Sequence, residues 1–270
     1  MNVKEVSKVK QTTKRTSSQE AELSSVAEKS DSGASKSSEA TSSGKVAYLT
    51  FDDGPSKLTP GLLQILKENE VNATFFVVAL GKNTTQKQEW LKQEVTDGNV
   101  VGIHSWTHKY SYIYANEQNF LDDFEKIKAM ILSATGVEPT LMRFPGGIGN
   151  TVSIEASGGK IIMPKLVADV EKMGVTPVDW NAGGEDAVSK VPTKDAIVKD
   201  VMADCKGRSN VVILLHDSST HGTSIAAVPE IIKELKAQGY TFKTLSSQSK
   251  KVQENAAKSS VRCKHPTVVN

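Results

Sequence analysis

His104 and His108 stand four residues apart, a spacing at which one helical turn points two imidazoles the same way and can offer them to a divalent metal. Asp52 and Asp53 are adjacent, so one carboxylate could complete a ligand set while the other is left to move a proton. Each pair has a plainer explanation when taken alone. Aspartates before Gly54-Pro55 suit a polar turn, and two histidines at this spacing also occur on ordinary surfaces. Their combination is more telling, because a catalytic metal site takes three protein ligands and keeps one position open for water. Arg143 brings a permanent cation that can orient a carboxylate, Asp179 and His216 add groups suited to acid–base work, and Trp180 adds an apolar surface beside them.

The elements that must position these residues alternate in type. Short β-branched or aromatic runs predict strands at Val46–Phe51, Ala73–Val78, Val100–Ile103, Leu141–Phe144, Val175–Val178, Val211–Leu215 and Tyr240–Lys243. Helical stretches lie between them, with Thr59 as an N-cap before Pro60 and with Gly98, Gly136, Gly174 and Gly239 near C-terminal ends. Seven strands alternating with helices predict an α/β fold with a parallel sheet, long enough to curl into a distorted (β/α) barrel. In such folds chemistry collects where the strands end. Those ends carry Asp52 and Asp53, then His104 and His108, then Arg143, then Asp179 and Trp180, then His216.

Composition narrows the class. Residues 1–44 hold 12 serines and no aromatic side chain, which predicts a disordered stalk with a reach of about 35–40 Å. Residues 45–245 carry the folding capacity, and 246–270 are expected to be a polar tail. No apolar run reaches the roughly 20 residues of a membrane span, and Met1–Lys10 lacks the apolar core of a signal peptide. A formal charge of +2, from 33 basic and 31 acidic side chains that are intermixed, speaks against a nucleic-acid partner. Two cysteines, Cys205 and Cys263, are too few for a disulfide scaffold, and whether they pair stays open.

Thr50-Phe51-Asp52-Asp53-Gly54-Pro55, His104-Ser105-Trp106-Thr107-His108, Arg143-Phe144-Pro145-Gly146-Gly147, Asp179-Trp180 and Leu215-His216 resemble, in order, the five motifs of the polysaccharide deacetylases, the NodB-homology proteins or family 4 carbohydrate esterases. The resemblance spans about Val46 to Lys243. It implies a divalent metal on Asp53, His104 and His108, zinc first, with cobalt, nickel or manganese as alternatives. Asp52 would be the general base, oriented by Arg143, and His216 the general acid with Asp179 as its carboxylate partner. The Gly146 N–H would bind the oxyanion, and Trp180 and Leu215 would shape the slot for the acetyl methyl group. Many relatives carry an aromatic residue where Gly146 stands, so the substrate groove is expected to be more open here.

The expected activity is removal of N-acetyl groups from N-acetylglucosamine in a cell-wall polysaccharide, peptidoglycan first and chitin-type oligomers second. The alternatives are an acetyl xylan esterase and a catalytically inactive carbohydrate-binding wall protein. A stalk suits a monomeric head working on an immobile polymer, outside the cell or at its surface, with the export or anchor segment absent from this chain. A serine hydrolase is disfavoured, since no Gly-x-Ser-x-Gly elbow occurs. His221, after Ser218-Ser219-Thr220, is expected to be a solvated loop histidine, and His265 falls in the tail.

Overall fold

The computed structural model describes residues 44–79, 84–190 and 192–246. The chain divides into Met1–Ala40 and Thr41–Asn270, and every described residue belongs to the second unit. The serine-rich segment through residue 43, Cys263, His265 and the tail from residue 247 lie outside the described residues.

In chain order the elements are β1 (Lys45–Asp52), α1 (Thr59–Glu68), β2 (Thr74–Val78), α2 (Thr84–Thr96), β3 (Val100–Ser105), α3 (Tyr110–Ile113), α4 (Glu117–Thr135) and β4 (Leu141–Met142). There follow α5 (Val152–Ala156), α6 (Met163–Lys172), β5 (Thr176–Pro177), β6 (Ala182–Gly183), α7 (Lys194–Cys205), β7 (Asn210–His216), α8 (Gly222–Ala237) and β8 (Tyr240–Phe242). Seven strands form one parallel row, β5-β4-β3-β2-β1-β7-β6, and β8 pairs with the start of β1.

The short link between its edges forces this row to curl. Its two edges, β5 and β6, are joined by residues 178–181 alone, which reach roughly 18 Å when extended. A flat row of seven strands at about 4.8 Å spacing would set those edges about 29 Å apart. The expected α/β barrel of parallel strands is therefore present, distorted and bridged at its open side by the segment holding Asp179 and Trp180.

Alternation along each strand sorts side chains between two faces. Ala47, Leu49 and Phe51 of β1 and Val211, Ile213 and Leu215 of β7 join the larger core under the helices. Tyr48, Phe76, Leu141, Trp180, Val212 and Leu214 form a second cluster inside the curl. Both faces are buried, as is usual for parallel sheets.

Two local expectations change. Thr59 is the first residue of α1 and Leu58 its cap, because the Thr59 hydroxyl is engaged elsewhere, accepting from Ser56 N and donating to Asp217 Oδ2 at 2.6 Å. The strands expected at Leu141–Phe144 and Val175–Val178 shorten to β4 and β5, and β6 forms without any sequence signal beyond Ala182-Gly183. Gly136 does cap α4 in the left-handed conformation at φ 73°, which glycine adopts without a Cβ clash.

Space inside the curl is tight at Gly102, where an added Cβ would lie 2.8 Å from the Phe76 ring and 3.0 Å from Leu141 O. On the exposed face of α1, a Cβ at Gly61 meets nothing within 4 Å. Gly102→Ala should therefore lower stability by about 1–3 kcal/mol through overpacking. Gly61→Ala should raise it by about 0.5–1 kcal/mol through helix propensity. Denaturant melts of the two variants check both signs.

Candidate active site

Parallel pairing of β1 with β7 puts Asp52 directly beside His216 in register. Both side chains face the inside of the curl, on the same side as Thr50 and Leu214, so a carboxylate and an imidazole meet at the strand ends. The chain then turns sharply at Asp53, whose φ of 71° is uncommon for a residue with a side chain. Asp217 braces that turn: its N–H donates to Asp52 O at 3.1 Å, and its carboxylate lies where a Gly54 Cβ would be, 2.1 Å from Oδ1. Burial pushes the Asp217 carboxyl up to about 7.

His104 sits at a bulge in β3, since Val77 pairs with Ile103 but Val78 pairs with Ser105. Bulges of this kind re-aim a side chain. His108 lies in the loop beyond, at φ 52°. The two histidines thus meet through a strand end and a loop, and the single helical turn expected for them is not formed; their ring centroids are 5.0 Å apart.

What folds this loop is Asp123 of α4, which the sequence reading missed. It is buried and accepts from Ser105 Oγ at 2.7 Å, Trp106 N at 2.6 Å, and Thr107 N and Oγ1 at 2.8 and 2.7 Å. The signal could have been found only by asking which acid satisfies a polar Ser-Trp-Thr loop.

Asp53, His104 and His108 present ligand atoms that all lie within 4.8 Å of one another. Asp53 Oδ1 is buried without a hydrogen-bond partner, with His104 Nε2 at 3.4 Å and His108 Nε2 at 3.3 Å. A buried carboxylate oxygen without a hydrogen bond, facing two ring nitrogens, is a donor set that fits a divalent cation. His104 Nδ1 lies 2.7 Å from Arg143 O, and a carbonyl only accepts, so Nδ1 carries the hydrogen and Nε2 keeps its lone pair for a metal. Burial also holds His104 below the usual imidazole range, which favours that neutral form. At Asp53 burial acts to raise the carboxyl, but the imidazoles of His108 and His104 outweigh it and hold it low.

Arg143 is wholly buried. Its Nη1 donates to Asp52 Oδ1 at 2.9 Å and to Thr50 Oγ1 at 2.7 Å, while Nε and Nη2 reach Val178 O and Asp179 O, each at 3.3 Å. The guanidinium also lies over the Phe76 ring, 4.4 Å from its centroid. Asp52 is thereby held on one oxygen.

His216 pairs with Asp186, where Asp179 had been expected. His216 Nδ1 lies 2.9 Å from Asp186 Oδ1, and Asp186 Oδ2 accepts from His216 N at 3.0 Å and Ser224 Oγ at 2.7 Å. The reason is β6, which pairs with β7 and delivers Asp186 to the end of that strand. Burial alone would lower His216, yet the Asp186 carboxylate pushes it up to about 10. Asp179 instead accepts from Ile148 N at 3.0 Å and so fastens the loop after Arg143.

Strand parity corrects a second assignment. Leu215 points with Phe51 into the helix-covered core and cannot wall a slot beside His216; Leu214 clusters with Trp180 on the inner face. Nor is the space at Gly146 open. With φ at 77°, a Cβ there would meet Asn150 Cβ at 3.2 Å and Tyr110 Cε1 at 3.3 Å, so Tyr110 supplies an aromatic edge from a different element.

The pattern that defines the polysaccharide deacetylases matches residues 39–158. A peptidoglycan-N-acetylglucosamine deacetylase of Bacillus cereus is 34% identical over 209 residues, covering 76% of this chain and 71% of that enzyme. The chain belongs to the polysaccharide deacetylase family. The peptidoglycan-N-acetylglucosamine deacetylase PgdA of Listeria monocytogenes is also 34% identical over 198 residues, and the chain spans 37% of its length. Among solved structures, the catalytic domain of peptidoglycan N-acetylglucosamine deacetylase from Eubacterium rectale is 40% identical, with a TM-score of 0.70 over 75% of this chain and 89% of that one. This membership makes the chain a hydrolase of the carbohydrate esterase type.

Two expected outcomes follow from the geometry. In Asp186→Asn the alkaline limb of the rate profile should move to lower pH, because the group holding His216 charged up to about 10 is gone; Asp179→Asn should leave that limb in place. A pH–kcat series on the three proteins decides it. Asp123→Asn should weaken metal binding by roughly 10–100-fold, read by calorimetric titration of the metal-stripped protein, since the His108 loop loses its anchor.

Proposed function

We propose that this protein hydrolyses the N-acetyl group of N-acetylglucosamine in peptidoglycan, releasing acetate and leaving a free amine on the glycan. The observation that carries this reading is the Asp52–His216 register, which sets a base and an acid side by side at the Asp53-His104-His108 cluster. Asp53, His104 and His108 would hold a divalent ion, zinc before cobalt, nickel or manganese, which supplies polarisation of the acetyl carbonyl and acidification of the attacking water.

Asp52 takes the proton of the attacking water at Oδ2, the oxygen that Arg143 does not hold. The Gly146 N–H stabilises the oxyanion as the carbonyl carbon becomes tetrahedral. His216, held at Nδ1 by Asp186, gives its proton from Nε2 to the nitrogen as the C–N bond breaks. An amine leaves only once protonated, so a histidine kept charged near neutral pH suits an amide better than an ester. Trp180 and Leu214 form the apolar wall for the methyl group.

The choice of peptidoglycan is supported by what the Bacillus, Listeria and Eubacterium relatives are named for. A wall substrate places the enzyme outside the cytoplasm, and its monomeric state stands as part of this proposal. Mass spectrometry of muropeptides from treated walls should show one acetyl unit lost from glucosamine per event. Untouched walls, with acetate released from acetylated xylan, would replace this reading with the esterase.

Separating the two aspartates tests the division of labour. Asp52→Asn should keep its metal and lose roughly 10²–10⁴-fold in kcat, whereas Asp53→Asn and His104→Ala should lose the metal itself, as read by elemental analysis.

A further inference from the structure

His221 stands outside the five motifs, yet the structure builds it into the site. It occupies the N-cap position of α8, half-buried, with its ring stacked on His216 at 5.1 Å between centroids and 29° between planes. Its Nε2 lies 3.2 Å from Asp186 O, and its Nδ1 lies 2.6 Å from Ser218 Oγ. Since a carbonyl only accepts, Nε2 carries the hydrogen, and Ser218 donates to Nδ1. Burial and the neighbouring His216 cation hold His221 below the usual imidazole range, so this neutral form persists.

His221, His216 and Asp186 also have ligand atoms within 4.8 Å of one another. They differ from the Asp53 cluster in one respect. Both Asp186 oxygens, both His221 nitrogens and His216 Nδ1 already have protein partners, whereas Asp53 Oδ1 has none. A hydrogen-bonded strut accounts for the three groups, with no ion required.

We propose that His221 is a positioning residue for the acid: it ties the loop after β7 to the backbone of Asp186 and stacks at a tilt on the His216 ring, fixing the direction in which His216 Nε2 delivers its proton. One imidazole thus spans both sides of the His216–Asp186 pair. Loss of that strut leaves the proton available but aimed less well, and misaimed groups lose rate even when chemically intact. The deficit should fall on substrates whose leaving group must be protonated. An amide expels an amine and needs the acid; an aryl acetate expels a stable aryloxide and does not.

The inference rests on the deacetylase reading, so the metal-loaded wild type is assayed first on N-acetylglucosamine oligomers and on 4-nitrophenyl acetate. His221→Ala should lower kcat on the oligomer roughly tenfold or more, short of the roughly 10²–10⁴-fold carried by an acid itself, with KM and the aryl acetate rate little changed. His221→Phe keeps a ring over His216 and cuts both ring hydrogen bonds, so it should show the same selective loss at smaller size. The Nδ1 proton of His216, followed by NMR, should broaden in either variant while resonances elsewhere hold. Equal losses on amide and ester, or an unchanged amide rate with a sharp Nδ1 proton, would overturn the positioning role. A wild type that releases no acetate from any N-acetylated glycan would overturn the deacetylase reading, and this inference with it.

Discussion

A fully buried guanidinium holds the site together. Arg143 comes from the end of β4, reaches across the curl to Thr50 and Asp52 of β1, and fastens the bridging segment through Val178 O and Asp179 O. Removing one partner of such a buried pair costs about 3–5 kcal/mol, because the other charge is left without solvent or counterion. The planar fork of arginine satisfies four acceptors at once, which a lysine could not do. The closing of the sheet and the orientation of the base are therefore one interaction.

Around that pair, neighbours assign opposite protonation states to two buried imidazoles. His104 is kept neutral because its Nδ1 faces a carbonyl and burial disfavours charge; His216 is kept charged because its Nδ1 faces a carboxylate. Ligand and acid are the same side chain in different company. The aspartates divide in the same way: Asp52 is held by Arg143, Asp53 turns an oxygen toward two imidazoles, and Asp217 is buried as a brace under the turn.

The loops that carry these groups are built by residues with no chemistry of their own. Asp123 gathers four donors to shape the path from His104 to His108, and Asp179 pins the glycine loop whose Gly147 Cβ would stand 3.2 Å from its Oδ1. Positive φ at Asp53 and His108 shows where the backbone is held in uncommon conformations to serve the site, and the surrounding hydrogen bonds are what sustain them.

The strand and helix alternation, the parallel sheet and the residue types at the strand ends were legible in the sequence, since each is a local pattern with a physical cause. Asp52, Asp53, His104, His108, Arg143 and His216 were found in that way, and the structure brings them to one end of the curl. The pairing of His216 was not legible: the carboxylate expected, Asp179, ends a recognisable strand, while Asp186 follows a two-residue strand that exists only because β7 offers it an edge. Leu214 and Leu215 could not be told apart either, because β7 is apolar on both faces and an unbroken apolar run carries no mark of which parity faces inward. In sequence His221 reads as a solvated loop residue, because the groups it meets, the Asp186 carbonyl and the His216 ring, are brought to it by other segments of the chain. Sequence determines which groups are available; only closure of the sheet, which spans residues far apart in the chain, decides which of them touch.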